Sequence, residues 1–270
     1  MNFSEQLLAD LLARIRYPVP GIWRGPAFVH LPSGNLVLQI ATVRCGPLDP
    51  VPVFTYNSLA SRDETGFGRG VSDLFNPTVE NQGGAQADLI TGTGRYLVYT
   101  NVVTGAWSTA PNSTRNGLRL NADNTWTERQ PDGIDWEYHP GGCLKRLKSP
   151  SGDIWTVARS GGATTITAPT GSTTSYSPSG VTHADGRVTA LSVVSQQLRS
   201  VTYPDGGIVT LSYLAGSDWA LLSSVTDAGD RHHQCRGATL LDFVNLWVIE
   251  IRSPAWKPKA HAGNGLCFAA

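Results

Sequence analysis

A chain of 270 residues with 40% hydrophobic content and eight tryptophans can bury a sizeable core, as one elongated body or two small domains. Only 16% of its residues are charged, and 21 acidic side chains balance 21 basic ones, which speaks against a nucleic-acid or anionic-membrane surface, since both need a basic excess. Twenty-nine glycines and 17 prolines suit many turns and short strands better than helices.

The first predicted element is a helix over Ser4 to Arg16. Leu7, Leu8, Leu11, Leu12 and Ile15 recur at helical spacing, Ser4 can cap the start, and Glu5 suits the first turn. Tyr17-Pro18 ends it, because the residue before proline is pushed toward extended geometry. Glu5, Asp10, Arg14 and Arg16 interrupt its apolar face and no basic lead precedes it, so it does not read as a signal peptide. It reads as a helix docked on a β body, since two arginines are too few for membrane anchoring. Pro18 to Pro32 reads as irregular. Gly34 to Arg44 predicts a strand through Leu36-Val37-Leu38-Gln39-Ile40, partnered by Val51 to Asn57 across a turn at Gly46 to Pro50. The glycine-rich stretch Gly66-Phe67-Gly68-Arg69-Gly70 is followed by Asn76-Pro77 where a phosphate-cradling loop would open a helix, so tight turns are expected there. Asn81 to Gly94 reads as a mobile loop. Arg95 to Val103, Gly117 to Asn121, Thr125 to Gln130 and Ile134 to Tyr138 read as successive antiparallel strands.

From Gln130 to Arg231 one phrase recurs: a turn, often Asp-Gly, then alternating polar and β-branched or aromatic residues. Gly133, Gly152, Gly171, Gly186, Gly206 and Gly229 open its copies at spacings of 19, 19, 15, 20 and 23 residues, a quasi-period that points to repeat architecture. Asp-Gly at 132, 185 and 205 is turn chemistry, since glycine supplies positive φ and aspartate bonds nearby backbone. Pro131, Pro150, Pro169 and Pro204 stand beside four of these turns, where a missing N–H costs the ladder little. The predicted unit is a strand, a turn and a returning strand.

These repeats resemble those of the Rhs/YD-repeat family. Tyr138-His139-Pro140-Gly141-Gly142-Cys143-Leu144 is similar to the opening of that unit, with His139 where the family has aspartate. Asp185-Gly186-Arg187-Val188 and Leu198-Arg199-Ser200-Val201-Thr202-Tyr203-Pro204-Asp205-Gly206 follow its strand-turn part. Upstream, Gly34 to Leu38, Phe54 to Ser58 and Gly66-Phe67-Gly68 resemble the lead-in of such proteins, so the likeness runs from about Ser33 to Arg231. No strict Tyr-Asp dipeptide occurs. The resemblance implies a β-sheet wound into a hollow shell, around a C-terminal toxin in some members. It also implies a secreted or cell-surface setting and, in other members, carbohydrate binding. The paired aspartates of the family's autoproteolytic segment do not carry over, because Asp242 is the only aspartate after residue 231.

After Arg231 the period stops. Leu240 to Ile251 is apolar but holds Asp242, Asn245 and Glu250, and twelve residues are too few to span a bilayer. It reads either as a strand or helix capping the sheet edge or as sequence that did not evolve with this fold, such as a truncated or frameshifted end. Lys257 to Ala270 is expected to be disordered. The expected organisation is an N-terminal helix (1–17), a lead-in β region (18–130), β-repeats (131–231) and an atypical tail (232–270), all-β and antiparallel apart from the helix.

Chemistry candidates are poor. Cys45, Cys143, Cys235 and Cys267 lie far apart without a C-x-x-C pair and fit free thiols best. His232, His233 and Cys235 fall short of a metal site, which needs three or four ligands and supporting partners. Asp135 and Glu137 flank Trp136 on a predicted strand, so both acids share the solvent face opposite the ring. Neither a G-x-S-x-G elbow nor an H-E-x-x-H motif occurs, and Asn112-Ser113-Thr114 fits a glycosylation acceptor. The sequence therefore predicts a structural β-repeat protein with no catalytic set, metal or cofactor. Its partners would be the remainder of an Rhs-like polypeptide, another protein or a glycan, with self-association through an open sheet edge. The alternative is a carbohydrate-binding module stacking sugars on Trp107, Trp126, Trp155 and Trp219, which requires two or more rings exposed in a row.

Overall fold

The computed structural model describes residues 27–30, 35–60, 65–109, 115–215, 220–226, 232–237 and 247–252. The helix expected over residues 4–16, Asn112-Ser113-Thr114, Trp219, Gly229 and residues 257–270 lie outside them. The described chain is all-β, and every strand pairing is antiparallel between sequence neighbours. Helical structure among the described residues is one 3₁₀ turn, Ser58–Ala60.

A four-stranded sheet is formed by β1 (Ala27–His30), β2 (Asn35–Ala41), β3 (Val53–Asn57) and β4 (Val71–Asp73), and a three-stranded sheet by β5 (Thr78–Gly83), β6 (Gln86–Ile90) and β7 (Tyr96–Tyr99). The expected β2–β3 pair is present. Two expectations are corrected. The irregular region before Pro32 contains β1, paired with β2. The supposed mobile loop over residues 81–94 is mostly the β5–β6 hairpin, because Gly83, Gly84 and Ala85 turn at positive φ and Ala87 and Leu89 alternate into the core.

The third sheet has fifteen strands in unbroken sequence order. It begins with β8 (Trp107–Thr109), β9 (Gly117–Leu120), β10 (Trp126–Arg129), β11 (Asp135–Tyr138), β12 (Leu144–Lys148), β13 (Ile154–Ser160) and β14 (Ala163–Thr167). It continues through β15 (Thr173–Ser177), β16 (Gly180–Thr182), β17 (Val188–Val194), β18 (Gln197–Thr202), β19 (Ile208–Tyr213) and β20 (Leu222–Thr226). The sheet starts inside the lead-in region, and the 130/131 boundary falls in the β10–β11 turn. The tail extends it: β21 (His232–Gly237) pairs with β20, and β22 (Trp247–Arg252) with β21.

One turn recurs through the molecule. In Gln130 to Ile134, Gly133 N–H donates to the Gln130 carbonyl and Gln130 N–H to that of Ile134, both at 2.9 Å. Among the described residues the same pair of bonds closes turns starting at Thr91, Asn121, Gln130, His139, Ser149, Ala168, His183 and Tyr203. The fourth residue has positive φ throughout, from Asn124 at 62° to Gly152 at 94°. This is a type I turn finished by a left-handed residue, a standard three-residue hairpin loop. The turn aspartate locks it, because Asp132, Asp185 and Asp205 accept the backbone N–H two residues on, at 3.0–3.1 Å. In a meander, alternate turns share an edge. Gly133, Gly152, Gly171, Gly186 and Gly206 therefore all lie along one edge, each one hairpin from the next.

Register divides the long sheet into two faces. Leu118, Glu128, Trp136, Leu147 and Trp155 stand opposite one another on the inner face, and Arg119, Thr127, Glu137, Arg146 and Thr156 on the outer. Further along, outer rows such as Thr156–Thr167–Thr173 and Ala158–Thr165–Ser175–Thr182–Val188 carry no charge. The inner face packs on both small sheets in a single cluster, whose largest fully buried side chains are Trp126, Tyr56, Tyr99, Tyr138, Tyr176 and Phe54. Each large apolar side chain so buried stabilises by about 1.5–3 kcal/mol.

Candidate functional site

The described tryptophans do not form an exposed row. Trp126 is 2% exposed and belongs to the core, which removes it as a stacking platform. Trp155 packs partly buried on the inner face, where its Nε1–H donates to the Leu48 carbonyl at 2.7 Å. Trp107 is the most open of the three at 39%. Its indole leans over Gly117, where a Cβ would come within 3.1 Å of the ring. The guanidinium carbons of Arg119 and Arg129 lie over it, 4.6 and 4.8 Å from its centroid. Glycine leaves room for the ring, and the arginines use its π-face. The cluster lies on β8, the first edge strand of the long sheet.

The flanking acids of Trp136 sit on the outer face. Asp135 receives a two-pronged bond from Arg129 at 2.8 and 2.9 Å, and Glu137 accepts from Arg146 at 2.7 Å. The acids that sequence reasoning missed are inside. Glu128, 2% exposed, accepts from Asn116 Nδ2 at 2.6 Å and from the Tyr138 hydroxyl at 2.8 Å. Burial pushes its carboxyl above the ordinary range, while the bonds from Asn116 and Tyr138 hold it down. Asp73, 3% exposed, accepts from the Tyr176 hydroxyl at 2.6 Å and from Phe75 N–H at 3.0 Å, and burial raises it too. The available signal was parity: Glu128 shares the inward parity of Trp126, and Asp73 that of Val71. Each acid accepts from neutral donors, and the two stand in separate networks. Among the described residues no three His, Cys, Asp or Glu side chains converge on a metal-sized site.

Two segments of the lead-in run along the edges of the long sheet. On the glycine-turn edge, a strap of residues 41–49 makes one link to each of four turn flanks. The Tyr203 hydroxyl donates to the Ala41 carbonyl at 3.0 Å, Arg187 approaches Cys45 Sγ at 3.7 Å, Ser172 bonds the Asp49 carboxylate, and Trp155 bonds Leu48. His183 starts the turn whose Arg187 meets Cys45; it is 2% exposed, with Nε2 2.7 Å from Thr189 Oγ1 and Nδ1 without a partner. Burial lowers the imidazole's pKa. On the opposite edge, Val79 N–H donates to the Gly142 carbonyl at 2.9 Å. Arg159 there bridges the carbonyls of Leu144 and Phe75 at 2.7 and 2.6 Å. These side chains tie sheets together and do not surround a reacting centre.

Among the described residues no helix is long and apolar enough to cross a membrane. Comparison with known protein families gives no match, and comparison with curated proteins gives none either.

Proposed function

We propose that this chain is a non-enzymatic structural β-repeat protein, similar to part of an Rhs/YD-repeat shell or cell-surface scaffold. The observation that carries this reading is the fifteen-strand meander closed again and again by one turn, with the core on one face and Thr/Ser-rich rows on the other. In such a meander each hairpin buries its apolar face only against its neighbours and the chain's own lead-in, so stability accrues from interfaces between successive units. Its partner is further β-repeat polypeptide or another protein. Glu128 and Asp73 belong to hydrogen-bond networks, which supports a structural use of these buried carboxylates.

The test is a survey of hydrolytic turnover by the purified chain on peptide, glycoside and phosphate-ester substrates, beside Glu128→Gln and Asp73→Asn. The expected result is no turnover in any of the three. Turnover in the parent chain that disappears in a variant still showing the parent's β-rich spectrum would overturn the reading.

A further inference from the structure

We propose that the strap of residues 41–49 is an acid-sensitive latch over the glycine-turn edge, held shut by neutral His183. The imidazole is buried at the start of the His183 to Arg187 turn, and its single bond is to Thr189, itself fully buried. A protonated imidazole carries N–H on both nitrogens. Here Thr189 can serve one, and nothing serves the other. The added N–H and its charge are satisfied only by water, which enters where the cover lifts most easily.

The weakest link of the cover is also the nearest along the edge. Of the four strap contacts, three are hydrogen bonds to oxygen, whereas the one at this turn is the 3.7 Å approach of Arg187 to Cys45 sulfur. The charged groups beside His183 on its own turn are Asp185 and Arg187, which pair with each other at 2.6 Å. Asp185 favours the imidazolium and Arg187 opposes it. The strap itself carries Arg44, whose guanidinium donates to the Pro47 carbonyl at 3.3 Å, Asp49, whose carboxylate is bonded by Ser172, and the Cys45 thiol, which burial pushes up and which therefore stays neutral. The inward neighbours Val181 and Thr189 carry no charge. Asp185 is bound by the Arg187 backbone and side chain, and its carboxyl is held down at about 2, so it remains ionised through the range in which histidine titrates.

The sign follows from linkage. A histidine depressed in the closed state favours closure above its free pKa of about 6.5 and loses that contribution as pH falls toward the depressed value, by up to about tenfold per pH unit. The experiment is hydrogen exchange on the full chain at pH 7.5, 6.5 and 5.5, with each rate normalised to that of an unstructured peptide at the same pH. Protection over residues 41–49 should fall between pH 6.5 and 5.5, by up to about fivefold for one histidine with a free pKa of about 6.5, while the β5–β7 sheet keeps its protection. His183→Gln should make strap protection independent of pH across this range. Equal protection at all three pH values, or the same loss in His183→Gln, would overturn the latch. Should that variant fail to fold, NMR of the parent decides: the His183 ring signals and the strap amides must shift with one midpoint, and a ring titration that leaves the strap unmoved rejects the proposal.

Discussion

The hydroxyl of Tyr176 on β15 donates to Asp73 Oδ1 on β4 at 2.6 Å, joining the long sheet to the four-stranded one through two buried groups 103 positions apart. Tyr56 makes a comparable splice, donating to the Ala220 carbonyl at 2.8 Å and accepting from Leu222 N–H at 3.1 Å. A phenol suits such junctions because its ring packs with apolar neighbours while its hydroxyl reaches polar atoms at their margin. The Tyr176 ring lies 6.4 Å from Phe54 and 6.0 Å from Phe67, centroid to centroid.

Tyr176→Phe keeps those ring contacts and removes one bond to a buried carboxyl. The expected cost is about 1.5–3 kcal/mol, the range for hydrogen bonds to charged groups. Equilibrium denaturation in urea measures it, and a loss under about 0.5 kcal/mol, the size of an ordinary surface substitution, would remove the junction's special standing.

Glu128 has the opposite pH signature to His183. Its folded-state carboxyl is raised above the free value of 4.5, so the folded chain holds the proton more tightly than the unfolded one. Stability contributed by this group therefore rises as pH falls through the raised value and levels off below 4.5. Urea midpoints of the parent and Glu128→Gln, measured at pH 7 and pH 5, should diverge in the parent's favour at the lower pH. A parallel response in both would show that Glu128 does not titrate with folding in that window.

Asp135 and Glu137 should matter far less. Their arginine partners have side chains 53% and 37% exposed, and solvent screens such pairs. Asp135→Asn and Glu137→Gln are each expected to shift stability by no more than about 0.5 kcal/mol. The difference should shrink further in 1 M salt, where the Debye length is about 3 Å. A salt-insensitive loss above about 1 kcal/mol would mean that these pairs are more enclosed than their exposure indicates.

Much of this architecture was legible because turn chemistry and strand parity are local. Asp185-Gly186 announces a positive φ, and Asp135-Trp136-Glu137 alternates across one strand; both features survive in the fold. Glu128 and Asp73 were not legible as inner acids, because what makes them tolerable inside is distant in sequence: Asn116 and Tyr138 for one, Tyr176 for the other. The β5–β6 hairpin was hidden by its own composition. Its glycines and glutamines suggest a loop, yet two buried residues, Ala87 and Leu89, settle the strand. Trp126 misled in the same way, since a ring on a strand can face either side until register decides.

Two glycines in the same turn place separate backbone preference from packing. Gly186 and Gly142 have φ of 84° and 82°, so a side chain at either meets the left-handed penalty of about 1–2 kcal/mol. Around Gly186 nothing lies within 4 Å of an added Cβ, and Gly186→Ala should cost that penalty alone. At Gly142 the added atom would stand 1.8 Å from the Val79 carbonyl oxygen, which is backbone and cannot rotate away. Relief requires β5 to move off the turn, breaking the 2.9 Å bond from Val79 to Gly142 and the neighbouring bridge between Thr78 and Cys143. Gly142→Ala should therefore cost more than about 4 kcal/mol, in the range reserved for disrupted packing. It should also expose the β5–β7 sheet to proteolysis while the β13–β20 hairpins stay protected. Equal losses in the two variants would mean that this edge contact contributes nothing beyond the turn itself, and that the three-stranded sheet is held by its core residues Ala87, Leu89, Leu97 and Tyr99.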